Sequence, residues 1–200
     1  MEATKRKAFV AVVNETTSPL FAVSVIHRHG NTCKHRQEWV TVPAGERAEP
    51  NMIVDFHPDC AAVAKDRWFI SWYNSELDTL WYSKSNNSHL AIYKLQCPSP
   101  AIIQGLAPTM AGLIATKREF DAPDESFTLS DLARVTTDVL FESSSTVEFK
   151  EHTLREDDSG SLFQIVINCD NSVTFMSTSE ASKTPVRRLV NTSVVKQAKG

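Results

Sequence analysis

The segment Asp66-Arg67-Trp68-Phe69-Ile70-Ser71-Trp72-Tyr73 limits what this chain can fold into more than any other. Successive side chains of a strand point to opposite sides, so Trp68, Ile70 and Trp72 share one face and Phe69, Ser71 and Tyr73 the other. A polar turn at Asn74-Ser75-Glu76 then leads to Leu80-Trp81-Tyr82-Ser83, which can return as an antiparallel partner. Aromatic pairs facing each other across such a hairpin add roughly 0.2–1 kcal/mol each. The hairpin from Asp66 to Lys84 therefore anchors a sheet, and a mostly β protein of the antiparallel sandwich kind is the expected fold.

Strand signals continue on both sides of it. Ala8–Val13 reads as a first strand. It is followed by Leu20–His29, in which Phe21, Val23, Val25, His27 and His29 share a face, and by Glu38–Val42 and Met52–Phe56. After Cys97 the texture changes. Prolines punctuate residues 97–145, and Ser130–Glu142 places Leu132, Val135, Val139 and Leu140 at helical spacing, so this segment is expected to be an insertion carrying one short helix. The β pattern resumes at Val147–Lys150. Leu162–Asn168 and Val173–Met176 follow as a hairpin around Asp170-Asn171-Ser172, with one more strand after Pro185 and a frayed tail over 191–200. One domain spanning residues 1–200 accommodates all of this.

Composition narrows the function classes. A formal charge of −3 argues against nucleic-acid binding, and the short basic clusters near the ends of the chain, Lys5-Arg6-Lys7 among them, read as solvated tails. The apolar run at Ala8–Val13 is too short for a signal-peptide core, and no stretch reaches the roughly 18–20 apolar residues of a membrane helix, so a cytoplasmic protein is expected. Cys33, Cys60, Cys97 and Cys169 show no CxxC spacing and read as free thiols, and the N-x-S/T sequons at Asn14, Asn86 and Asn191 as chance matches.

Two sets of motifs carry a family resemblance. Asp66-Arg67-Trp68-x-Ile70-Ser71-Trp72 followed by Trp81-x-Ser83-Lys84 resembles the central hairpin of the PUD-type domain of nematode and fungal proteins. Phe149-Lys150-x-His152-Thr153-Leu154-x-x-Asp157-x-x-Gly160 and Val173-x-Phe175-x-Ser177-x-Ser179, closed by Thr184-Pro185, are similar to that family's later motifs. The resemblance covers residues 8–96 and 146–190 and implies a cytosolic, aegerolysin-like β-sandwich. Aegerolysins bind membrane lipids, and some recruit a partner protein to form pores. The implication is a non-enzymatic recognition module for lipid, a protein partner or itself, with homo- or hetero-oligomers in view. No catalytic residues come with it.

Read from the residues alone, the chemistry is sparse. No G-x-S-x-G elbow, P-loop or G-x-G-x-x-G is present, and no cofactor is expected. His27, His29, Asp55 and His57 could share a metal if their strands paired, but strand-end histidines beside Arg28 and Lys34 read better as surface polar groups, and no metal is expected. Glu156-Asp157-Asp158 reads as a solvated turn, not a calcium loop. Core packing is the favoured role of the aromatics, with a cleft compatible on one face. The candidate ligand-binding residues are Trp72, Tyr73, Trp81, Tyr82, Asp66 and Arg67. The competing reading is a cofactor-independent cyclase or isomerase acting on a hydrophobic molecule, with Asp66 or Glu38 as acid and a His or Tyr beside it. A third is a structural protein with a filled core.

Overall fold

The computed structural model describes residues 5–30, 33–58, 65–75, 79–83, 129–131, 133, 134, 137 and 149–190. The strands are β1 (Arg6–Asn14), β2 (Leu20–His29), β3 (Cys33–Val42), β4 (Met52–Phe56), β5 (Asp66–Tyr73), β6 (Thr79–Ser83), β7 (Lys150–Glu151), β8 (Leu162–Asn168), β9 (Ser172–Met176) and β10 (Ala181–Val190). They hydrogen-bond in one continuous path, β3-β2-β5-β6-β10-β9-β8-β1-β4, with β7 added to β5. The expected antiparallel sandwich differs from this in two respects. The strands follow one another in a single mixed, nearly closed sheet, and β1 runs parallel to β8, from Phe9 opposite Leu162 to Asn14 opposite Ile167.

The continuity depends on β10. Its first half, Ala181–Pro185, pairs with β9, and its second half, Val186–Val190, pairs with β6. Pro185 stands at the change of partner, where its lack of an N–H ends one ladder and the strand moves to the next. The two ends of the path, β3 and β4, meet without a backbone ladder. Side chains bridge this seam: Trp39 Nε1–H donates to the Glu49 carbonyl (3.2 Å), and His35 Nε2 accepts the Asp55 N–H (3.2 Å).

Inside the curl lies one apolar cluster to which β5 contributes Trp68, Ile70 and Trp72, as the alternation of that strand predicts. Phe69 and Tyr73 occupy the outer face, and part of that face is covered by a helix in the expected insertion. Residues 129–131, 133, 134 and 137 are helical, and Ala133 packs with Ala22, Tyr73 and Leu80. Thr137 Oγ1 lies 2.6 Å from Ser24 Oγ and donates back to the Ala133 carbonyl, which ties the helix to β2. The rest of 97–145 and the tail over 191–200 lie outside the described residues, as do the Asn86 and Asn191 sequons. Among the described residues, no helix is long and apolar enough to cross a membrane.

Three local expectations are corrected. A bulge between Phe21 and Ser24, with Ala22 at φ +46°, shifts the alternation of β2, so Leu20 enters the core while Phe21 packs on the outer face. Lys5 and Arg6 are not a solvated tail: Lys5 pairs with Asp55 (2.9 Å) and Arg6 with Glu156 (2.6 Å). The Glu156–Asp158 turn is not fully solvated either, because Asp158 is buried and its carboxylate accepts from Arg155 N–H and from the Ser179 N–H and hydroxyl.

Candidate functional site

At the Trp72 end of β5 a cleft of about 260 Å³ opens. Trp72 and Trp81 are register partners on β5 and β6, so they stand side by side on the inner face, Trp72 nearly buried and Trp81 half-buried. Leu20, Ile167 and Val186 complete an apolar floor. The rim is polar and uncharged, with Ser18 from the β1–β2 loop, Asn74 from the hairpin, and Asn168, Asn171 and Ser172 from the β8–β9 turn. No carboxylate, imidazole or cation lines it among the described residues.

The rim is held in place by side-chain amides. Asn14, wholly buried, donates through Nδ2 to the carbonyls of Ser18, Val42 and Pro43, and its Oδ1 accepts the Thr16 N–H (2.9 Å). That engagement explains an Asn at this sequon without any glycan. Asn171 adopts φ +58°, the left-handed conformation that a tight turn requires and Asn tolerates. Asn168 Nδ2 closes the same turn on the Ser172 hydroxyl (2.9 Å). Cys169, in this turn, carries a free, exposed thiol; the side chains of Cys33, Cys60 and Cys97 lie outside the described residues.

Of the six candidate residues, the structure brings only Trp72 and Trp81 into this cleft. Tyr73 and Tyr82 are buried on the outer face, Tyr73 with Ala133 of the helix and Tyr82 beside Phe69. Arg67 is partly exposed and reaches Glu151 at 3.6 Å. Asp66 begins β5, six residues before Trp72, and so lies about 20 Å from the cleft along the strand.

Asp66 is fully buried at the centre of a second constellation. Its Oδ1 accepts from His27 Nε2 and His29 Nδ1, each at 2.8 Å, and its Oδ2 accepts the Leu154 N–H at 2.8 Å. Burial alone would raise this carboxyl, but these donors outweigh it and hold the group below the ordinary carboxylate range. Burial in turn keeps His27 and His35 neutral by lowering both. One tautomer chain then links Asp66 through His27 and His35 to the Asp55 N–H. His27 carries its proton on Nε2 toward Asp66, so its Nδ1 accepts from His35 Nδ1–H (3.2 Å), and His35 Nε2 is left to accept the Asp55 N–H. The expectation that His27 and His29 are surface residues is thereby corrected: both are buried because a carboxylate 37–39 positions along the chain receives them. Among the described residues, no group of three or more His, Cys, Asp or Glu is placed to hold a metal.

His152 forms a third buried node, with Nδ1 2.8 Å from Ser182 Oγ and Nε2 3.3 Å from Ser177 Oγ. Burial lowers its pKa against the pull of Glu180 and Asp158, with Lys150 acting in the same direction as burial. For both His152 and His35 the folded value lies below the ordinary 6.5, so the unfolded chain binds more protons just below that pH. Stability is therefore expected to be fully present above about pH 6.5 and to fall as the pH drops through the folded values. Urea midpoints measured between pH 7.5 and 5.5 should decrease; a flat or rising series contradicts this assignment.

These nodes explain why the later motif residues belong together. His152, Leu154, Ser177 and Ser179 all bond within one clamp around the start of β5, and Asp158, not Asp157, is the acid that serves it. A comparison with curated proteins finds no match. Residues 4–186 match the family model described as Up-Regulated in long-lived daf-2, and the chain belongs to that family, the PUD-type proteins.

Proposed function

We propose that the protein is a non-enzymatic recognition module whose ligand seats between Trp72 and Trp81, and that this ligand is a small, uncharged, hydroxyl-rich group such as the neutral headgroup of a membrane lipid. One observation carries the reading: two tryptophans share a cleft in which the other polar side chains, among the described residues, are all amides and hydroxyls. Tryptophan offers a flat apolar face for the C–H side of such a group, while Asn and Ser both donate to and accept from hydroxyls. A charged ligand would find no counter-ion among the described lining residues. The aegerolysin-like sandwich that the sequence resemblance implies belongs to the same proposal and is compatible with a lipid-facing role.

A cyclase or isomerase in this cleft would need an acid or base there, and the described lining supplies neither. The carboxylate considered for that role, Asp66, has both oxygens engaged and lies at the other end of β5.

Flotation with phosphatidylcholine vesicles containing a neutral glycolipid, beside tryptophan-fluorescence titration with free neutral saccharides, separates a lipid headgroup from a soluble sugar. Trp81→Ala is expected to weaken binding about thirtyfold, corresponding to the roughly 2 kcal/mol of a central aromatic contact. No response to either probe by the parent protein would sink the proposal.

A further inference from the structure

At the end of β5 away from the cleft, two buried histidine nitrogens have no hydrogen-bond partner among the described residues. His29, 2% exposed, uses Nδ1–H on Asp66, which leaves Nε2 as a lone pair in the neutral ring, and among the described residues that atom has no hydrogen-bond partner. His57, just past the end of β4, likewise has a buried, unpartnered Nδ1. The near-closure of the sheet brings the ends of β2 and β4 together, and the two rings lie 5.5 Å apart, centroid to centroid, inclined at 56°.

We propose that His29 and His57 form a binding site for one borderline divalent transition-metal ion of the zinc, nickel or copper class. Imidazole nitrogen selects those ions over magnesium and calcium, which take oxygen ligands. The spacing fits. An imidazole nitrogen sits about 2.0–2.1 Å from zinc, so its ring centroid lies about 3.2 Å from the ion, and two rings at a tetrahedral angle have centroids about 5.2 Å apart. The surroundings fit as well. A metal-binding histidine usually gives its other N–H to a carboxylate, which fixes the tautomer and ring orientation, and Asp66 does this for His29. Among the described residues no third His, Cys, Asp or Glu completes the set, so the remaining positions fall to water or to a small exogenous ligand.

His27 and His35 are not part of the site, because each of their ring nitrogens already has a partner. They supply an internal control. The chelator-treated full chain is titrated with Zn²⁺ against a chromophoric chelator, and the imidazole nitrogens are followed by ¹⁵N NMR. One equivalent is expected to bind, with the signals of His29 Nε2 and His57 Nδ1 shifting and those of His27 and His35 staying in place. His57→Ala, which removes no hydrogen bond of Nδ1, is expected to weaken uptake about tenfold or more. Absence of stoichiometric Zn²⁺ uptake, uptake unchanged in H57A, or shifts confined to other histidines would each overturn the proposal. The first result would leave a bridging water as the partner of the two nitrogens. Because NMR is read on the parent protein, the test stands even where the variant fails to fold.

Discussion

Asp66→Ala is expected to lower the melting temperature by roughly 6–20 °C, the equivalent of about 3–5 kcal/mol for removing one partner from a buried ionic network in a chain of this size. The carboxylate is fully buried and receives three N–H donors from two separate segments: His27 and His29 at the end of β2, and Leu154 in the segment leading to the Glu156–Asp158 turn. Removing it strands all three where water cannot replace the lost acceptor. Asp66→Asn, nearly identical in shape, is not expected to rescue the loss. Turning its amide nitrogen toward the histidines obliges His27 to move its proton to Nδ1, where it faces the Nδ1–H of His35. If His35 then shifts its own proton to Nε2, it confronts the Asp55 N–H. The cost of one exchanged atom is thus carried to the β3–β4 seam. Thermal melts of both variants decide the matter, and a melting temperature for D66A within about 2 °C of the parent would refute the hub role.

That hub also shows what is legible in the residues and what is not. The alternation of Trp68, Ile70 and Trp72 against Phe69 and Tyr73 is local, set by strand geometry, and the structure keeps it. The hairpin pairing of Trp72 with Trp81 is nearly as local, so the aromatic side of the cleft could be read directly. Its polar side could not. Asn168, Asn171 and Ser172 signal only a turn, and β8 reaches the site through its parallel pairing with β1, about which no local pattern speaks. His27 and His29 looked like surface groups because their sequence neighbours are charged, whereas their burial depends on Asp66, which begins another strand. The change of face in β2 rests on Ala22 at a positive φ, and an alanine gives no hint of one. In each case the missing information is a contact between distant segments. The later motif residues are the exception, since His152, Leu154, Ser177 and Ser179 stand together in the motifs that carry the resemblance before the clamp that joins them is seen.

Trp68→Ala carries the other large effect and tests the same clamp from its apolar side. The indole is completely buried, 4.2 Å centroid to centroid from both Phe163 and His27, and its Nε1–H donates to the His152 carbonyl at 2.9 Å. Truncation to alanine leaves a cavity worth about 3–5 kcal/mol, and the stranded carbonyl adds about 1–3 kcal/mol. Against a total stability of about 5–15 kcal/mol for a typical domain, such a loss removes a large part of the margin, and at the lower end of that range it unfolds the protein. Trp68→Phe separates the two contributions, because it keeps an aromatic ring against Phe163 and removes only the donor and part of the volume. It should remain folded and melt between the parent and the alanine variant. The side chains of Trp68 and Asp66 also hold the same segment, one through the His152 carbonyl and the other through the Leu154 N–H. Once either anchor is gone, the other has less order left to enforce. The double variant Trp68→Phe/Asp66→Asn should therefore lose less than the sum of its parts, with a coupling of about 0.5–3 kcal/mol in a double-mutant cycle. Strict additivity would mean that the two residues stabilise the start of β5 independently and that the clamp is not a single unit.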